Sequence, residues 1–159
     1  MAARPYIAVL GPDAADETEL AQARAVGEGL ARVGAVLVCG GLGGVMEAAC
    51  RGAREGGGLT VGLLPGADRS AANQSLTVAL PTGMGELRNG LVVRAADAVI
   101  AVGGAYGTLS EIALALKIGR PVVGLGTWEL ARGGVGDEGV IRASTPGRAV
   151  ARALGAVTP

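Results

Sequence analysis

Short apolar runs alternate with helix-period patterns along this chain, and that order leaves few folds open. Tyr6–Leu10, Ala35–Cys39, Leu59–Leu64, Leu76–Leu80, Ala98–Val102 and Pro121–Leu125 read as strands, with a weaker one at Val140–Ala143. Continuous runs of Val, Ile, Leu and Ala fit strands covered on both faces. Between them the apolar spacing changes to three and four residues. It predicts helices over about Glu17–Val33, Val45–Arg54, Leu87–Ala96 and Pro146–Leu154. The clearest helical stripe is Leu109, Ile112, Ala113 and Leu116, stopped by Gly119 and Pro121. The expected architecture is a three-layer α/β fold: a Rossmann-like, doubly wound, mostly parallel sheet in a single domain over residues 1–159. No long linker or solenoid-length repeat divides it.

Composition narrows the chemistry. Half of the residues are hydrophobic, yet there is no Phe, with two Tyr and one Trp, so the core is aliphatic and helices can lie close to the sheet. Formal net charge is zero with both signs interspersed, which argues against a nucleic-acid partner, since that needs a clustered basic face. Histidine is absent, and Cys39 and Cys50 lie in apolar surroundings. No zinc site and no resident cofactor are expected, and the cysteines read as buried, reduced thiols suited to the cytoplasm. The first strand starts within a few residues of Met1 and no apolar run has membrane-spanning length, so neither a signal peptide nor a membrane partner is expected.

In an open parallel sheet, ligands bind beyond the carboxyl ends of the strands. The turns there are Gly11-Pro12-Asp13, Gly40–Gly44, Pro65-Gly66, Thr82–Gly85 and Gly103–Gly107. The most informative is the strand–turn–helix from Asp97 to Glu111, whose glycines bring backbone N–H groups and a helix dipole against an anion. Candidate ligand-binding residues are Gly11, Asp13, Gly40, Gly41, Gly43, Gly44, Val45, Met46, Thr82, Gly83, Asn89, Gly103, Gly104, Tyr106, Gly107 and Thr108. A P-loop is absent. The dinucleotide fingerprint is missing after the first strand, and Cys39-Gly40 ends the second where a ribose-binding acid would stand, so NAD is not expected.

Arg88 falls in the first turn of a predicted helix, where a cation is disfavoured unless an anion binds there. Glu111 reads in two ways. It is either a carboxylate beside the bound anion or the second half of a capping box, Thr108-Leu-Ser-Glu111. Asp13 suits a turn cap or a ligand contact, and Asp97 a structural role. The segments Pro65–Ser75 and Gly126–Gly139, the latter carrying Trp128, read as surface loops long enough to serve as lids or interface elements.

At these residues the chain resembles the Lonely Guy family, also labelled lysine decarboxylase-like proteins. Gly103 to Glu111, G-G-A-Y-G-T-L-S-E, stands where that family has P-G-G-x-G-T-x-x-E. Gly40-Gly-Leu-Gly-Gly-Val-Met46-Glu echoes its other glycine turn. The resemblance implies hydrolysis of the N-glycosidic bond of a nucleoside 5′-monophosphate, with Arg88 and Glu111 as catalytic residues. The family's Pro is Gly103 here and its second Gly is Ala105, so the turn is expected to differ in shape. Thr82–Asn89 with Gly62–Ser70 look closer to a bacterial nucleotide-binding branch, which also resembles the molybdenum cofactor carrier proteins. That likeness implies the alternative of a non-catalytic carrier. Either way the expected ligand is a small phosphorylated heterocycle (AMP-type or pterin), and the expected assembly is a homodimer or higher homo-oligomer. With Lys117 as the chain's one lysine and no pyridoxal-phosphate motif around it, lysine decarboxylation is not expected.

Overall fold

A computed structural model describes residues 3–157 of the chain. The apolar runs become β1 (Tyr6–Leu10), β2 (Val36–Cys39), β3 (Leu59–Leu64), β4 (Val78–Pro81), β5 (Ala98–Val102) and β6 (Val122–Leu125). A hairpin of β7 (Leu130–Arg132) and β8 (Val135–Asp137) follows, then β9 (Val140–Arg142). Seven strands form one sheet in the order β4-β3-β2-β1-β5-β6-β9, each neighbouring pair parallel. The order reverses between β1 and β5, and a doubly wound sheet opens its ligand crevice at such a switch point.

The helices are α1 (Glu17–Arg32), α2 (Val45–Glu55), α3 (Asn89–Ala95), α4 (Tyr106–Lys117) and α5 (Pro146–Ala156). Successive side chains of a strand point to opposite faces. Ile7 and Val9 therefore pack with α1, α2 and α5, through Val26, Leu30, Ala49 and Val150. Ala8 and Leu10 pack on the other face with Val92 and Val93 of α3 and Ile112 and Ala115 of α4. The result is a three-layer, single-domain α/β fold whose buried core is mainly Ala, Val, Leu and Ile, with Met46, Cys39 and Cys50 and no fully buried aromatic ring. Gly27 and Gly52 let α1 and α2 cross with their backbones touching: a Cβ on Gly27 would overlap the carbonyl of Ala49, and one on Gly52 that of Arg24.

Three expectations need correction. The fourth strand starts at Val78, not Leu76, because the Thr60 hydroxyl bonds Ser75 O at 2.7 Å and accepts from Thr77 N–H at 2.8 Å, holding that stretch outside the regular ladder. Its last residue, Pro81, is tolerable because β4 is an edge strand. The segment 126–139 is not wholly a loop; Gly133-Gly134, both at positive φ, turn the β7–β8 hairpin. The helix expected over Leu87–Ala96 is preceded by a 3-10 turn, Gly85–Arg88, and the α-helix itself starts only at Asn89.

Candidate functional site

A cavity of about 390 Å³ opens at the switch point, walled by the residues that follow β1, β2 and β5. Gly11 and Asp13 come from the first turn, Gly40 and Met46 from the second, and Gly107, Thr108 and Glu111 from the start of α4. Arg88 and Asn89 close it from the junction of the 3-10 turn with α3. A second chamber of about 600 Å³ adjoins it between α3 and α4. Asn89, Gly107 and Glu111 line both chambers.

Arg88 is the most unusual side chain here. It is only 8% exposed, although a guanidinium cannot shed its charge on burial. One terminal nitrogen, Nη2, reaches Gly40 O at 3.3 Å and the other, Nη1, donates to Asn89 Oδ1, while buried Nε has no partner. No ion pair among the described residues involves Arg88. Glu111, in the same wall, also has no ion pair among the described residues. Burial pushes its carboxyl up from 4.5 to about 7, with the positive charge of Arg88 pulling the other way. A buried cation with donor capacity to spare, facing an aqueous cavity, fits an anionic ligand.

The capping reading of Glu111 is overturned. Helix α4 begins at Tyr106 with Ala105 as its N-cap, one turn earlier than a Thr108 cap requires. Thr108 is therefore inside the first turn, 3% exposed, its Oγ1 accepting from Ala105 N–H at 3.4 Å. Glu111 sits a turn further on, out of reach of that cap. Among the described residues, no protein acceptor takes the N–H groups of Tyr106, Gly107 or Thr108, which leaves the helix start free to receive an anion. Ala105 stands at φ −113, so replacing the glycine of the Lonely Guy signature strains nothing there.

The turn before α2 is used differently. Gly41 N–H donates to Cys39 Sγ at 3.3 Å, Gly43 N–H to Asp13 Oδ1 at 3.1 Å, and Val45 N–H to Pro12 O at 3.1 Å. Gly44 has φ +59, and a Cβ on it would overlap the carbonyls of Pro12 and Asp13. Those amides hold the second turn against the first and cannot also hold a phosphate. Gly41, Gly43, Gly44 and Val45 thus do not line the cavity, although Gly40 and Met46 beside them do.

Other candidates lie apart. Thr82 Oγ1 bonds Leu64 O at 2.7 Å and Gly83 N–H bonds Gly66 O at 2.8 Å, tying two loops together away from both chambers. Gly103 N–H donates to Leu125 O. Gly104 supports the rim: a Cβ there would lie 2.8 Å from Trp128 Nε1. Tyr106 lines the second chamber and stacks on Trp128, with centroids 5.8 Å apart and planes inclined by 26°. Trp128 Nε1 in turn donates to Ala105 O at 3.2 Å. The sequence predicts a surface loop around Trp128; the signal that singles the residue out is that a chain with almost no aromatics carries its one Trp there. Asp97, as expected, is structural, accepting from Tyr6 N–H at 2.8 Å. Among the described residues no three His, Cys, Asp or Glu side chains converge to hold a metal, and no helix is long and apolar enough to cross a membrane. A separate cleft of about 440 Å³ between α1 and α2 carries Arg24 and Arg51, both already paired with carboxylates.

Fold and cavity define a Rossmann-like protein with a crevice at the switch point of its sheet. The chain belongs to the SLOG cluster4 family, whose model matches residues 4–150. An uncharacterized protein of Archaeoglobus fulgidus is 47% identical over 119 residues, 75% of this chain and 78% of its own length. Among solved structures, the molybdenum cofactor binding protein of the phototrophic bacterium Rippkaea orientalis matches with a TM-score of 0.89 at 35% identity, over 98% of this chain and 99% of that one. The molybdenum cofactor carrier protein of Chlamydomonas reinhardtii matches with a TM-score of 0.84 at 34% identity, covering 96% and 98% of the two chains.

Proposed function

We propose that the protein is a non-catalytic binding protein for a phosphorylated pterin of the molybdenum cofactor type. The observation that carries this reading is Arg88, buried beside a cavity with an unpartnered Nε, opposite a helix start whose N–H groups are free. Together they fit a phosphate monoester: the α4 amides of Tyr106, Gly107 and Thr108 on one side and the guanidinium on the other. Similarity over nearly the whole chain to proteins described as molybdenum cofactor binders or carriers favours a pterin over a purine nucleotide. The absence of net charge supports a small ligand over a nucleic-acid strand.

The carboxylate arrangement supports binding without turnover. Glycoside cleavage usually requires two carboxyl groups about the scissile bond. Glu111 supplies one. Asp13 is engaged by the Gly43 amide, and Glu86 lines only the outer chamber. The Lonely Guy-like hydrolytic reading therefore ranks second, and one experiment separates the two.

Calorimetric titration with a pterin alkyl phosphate should give saturable binding, and chromatography of the protein incubated with AMP should detect no released adenine. Arg88→Gln should weaken the phosphopterin roughly 10- to 100-fold, the scale of a charge-assisted hydrogen bond, with an unchanged circular dichroism spectrum. Equal affinity in wild type and variant would count against the site. Adenine release that Glu111→Gln abolishes would restore the hydrolase.

A further inference from the structure

The chain has no Phe and three other aromatic residues, Tyr6, Tyr106 and Trp128. Tyr6 begins β1, at the edge of the sheet opposite the crevice. The remaining two stack on each other at the mouth of the site. Trp128 is held from behind: the absence of a side chain at Gly104 makes room for its indole, and its Nε1 is bonded to Ala105 O. Tyr106, in front, is 82% exposed, and its ring lines the outer chamber. Large aromatics are normally used to bury area, so a tyrosine held by a docked indole and still open to solvent is a prepared surface.

The phosphate reading places an anion at the start of α4, where Gly107 lines both chambers, so a ring linked to that phosphate by a short chain can enter the outer chamber that Tyr106 lines. The inner chamber offers the phosphate donors but has no aromatic side chain in its wall. Asn89, Gly107 and Glu111, common to both chambers, mark the passage between them.

Building on the phosphopterin reading, we infer that Tyr106, buttressed by Trp128, is the platform on which the ligand's bicyclic ring stacks, and hence the residue that distinguishes heterocyclic phosphates from other phosphate esters. Phosphate contacts hold any monoester; the platform adds affinity only for a flat ring.

With one tryptophan in the chain, the platform carries its own reporter. Saturating pterin alkyl phosphate should quench Trp128 emission, after correction against free tryptophan, and ribose 5-phosphate should not. Tyr106→Ala should weaken the phosphopterin roughly tenfold more than it weakens ribose 5-phosphate, the scale of one ring-on-aromatic stack. Tyr106→Phe should keep wild-type affinity. If Tyr106→Ala binds as tightly as wild type while Arg88→Gln does not, the platform is refuted and the phosphate site stands. If neither variant loses affinity, the site itself is misplaced. A change in particle mass by light scattering for Tyr106→Ala would make the ring an interface residue and overturn the inference. So would unquenched Trp128 at saturation.

Discussion

The turns that precede α2 and α4 begin alike, as an apolar strand running into glycines and then a helix, yet the fold uses them for different ends. Before α2, the amides of Gly41, Gly43 and Val45 are consumed by Cys39, Asp13 and Pro12, and Gly44 lies hard against backbone. Before α4, the amides of Tyr106, Gly107 and Thr108 have no protein acceptor, and a Cβ on Gly107 would meet no atom within 4 Å. One turn clamps the crevice together and the other faces it. A glycine can stand for close packing or for open access, and only its surroundings say which.

The comparison is easiest to break at Gly44. Gly44→Ala places a side chain at positive φ and into two carbonyls, so it should cost about 2–5 kcal/mol, read as a lower urea midpoint with an unchanged slope. Stability within about 1 kcal/mol of wild type would mean that the clamp has been misjudged.

Next in size is Glu111→Gln. The carboxyl is neutral in both folded and unfolded chains below about pH 4.5, so it costs nothing there. As pH rises towards 7 the unfolded chain ionises first and stability falls; above about 7 the full cost of a buried charge is present. Removing the charge should therefore stabilise the protein by up to about 3 kcal/mol at pH 8, or a Tm roughly 5–10 °C higher, with no gain at pH 4. The same variant should bind phosphopterin more tightly than wild type at pH 8, since an ionised Glu111 repels the phosphate. A Tm difference independent of pH would show that Glu111 is not buried in the way described.

The smallest stability effect, and the most discriminating, is Gly107→Ala. At an early position of α4 with open space around it, the added methyl should raise stability by about 0.5–1 kcal/mol. Because Gly107 lines both chambers, phosphopterin affinity should fall nonetheless. A gain in stability with full affinity would remove Gly107 from the site.

The sheet was readable from the sequence because strands buried on both faces announce themselves as unbroken aliphatic runs, and a helix such as α4 by its spacing. Where the reading slipped, distant partners decided. Nothing near Leu76 reveals that the Thr60 hydroxyl will take up the backbone of Ser75 and Thr77. Thr108-x-x-Glu111 has the spacing of a cap, but the helix starts three residues sooner. Arg88 and Glu111 were legible as a charged pair worth attention, through their motif. That Arg88 is buried with an idle Nε depends on Gly40, forty-eight positions away. Which glycine amides remain free depends on Asp13 and Pro12, and the role of Trp128 on a hydrogen bond to a residue twenty-three positions earlier.

The crossing of α1 and α2 has a mechanical consequence. Since peptide carbonyls, not flexible side chains, form the contact at Gly27 and Gly52, the two helices have no cushion between them and move as one slab. The near end of that slab carries Glu19, whose carboxylate abuts Gly103 at the root of the α4 turn, and its other helix carries Met46 in the crevice wall. The same rigid pair of helices thus touches the crevice on two sides, at Met46 in its wall and through Glu19 at the root of the α4 turn.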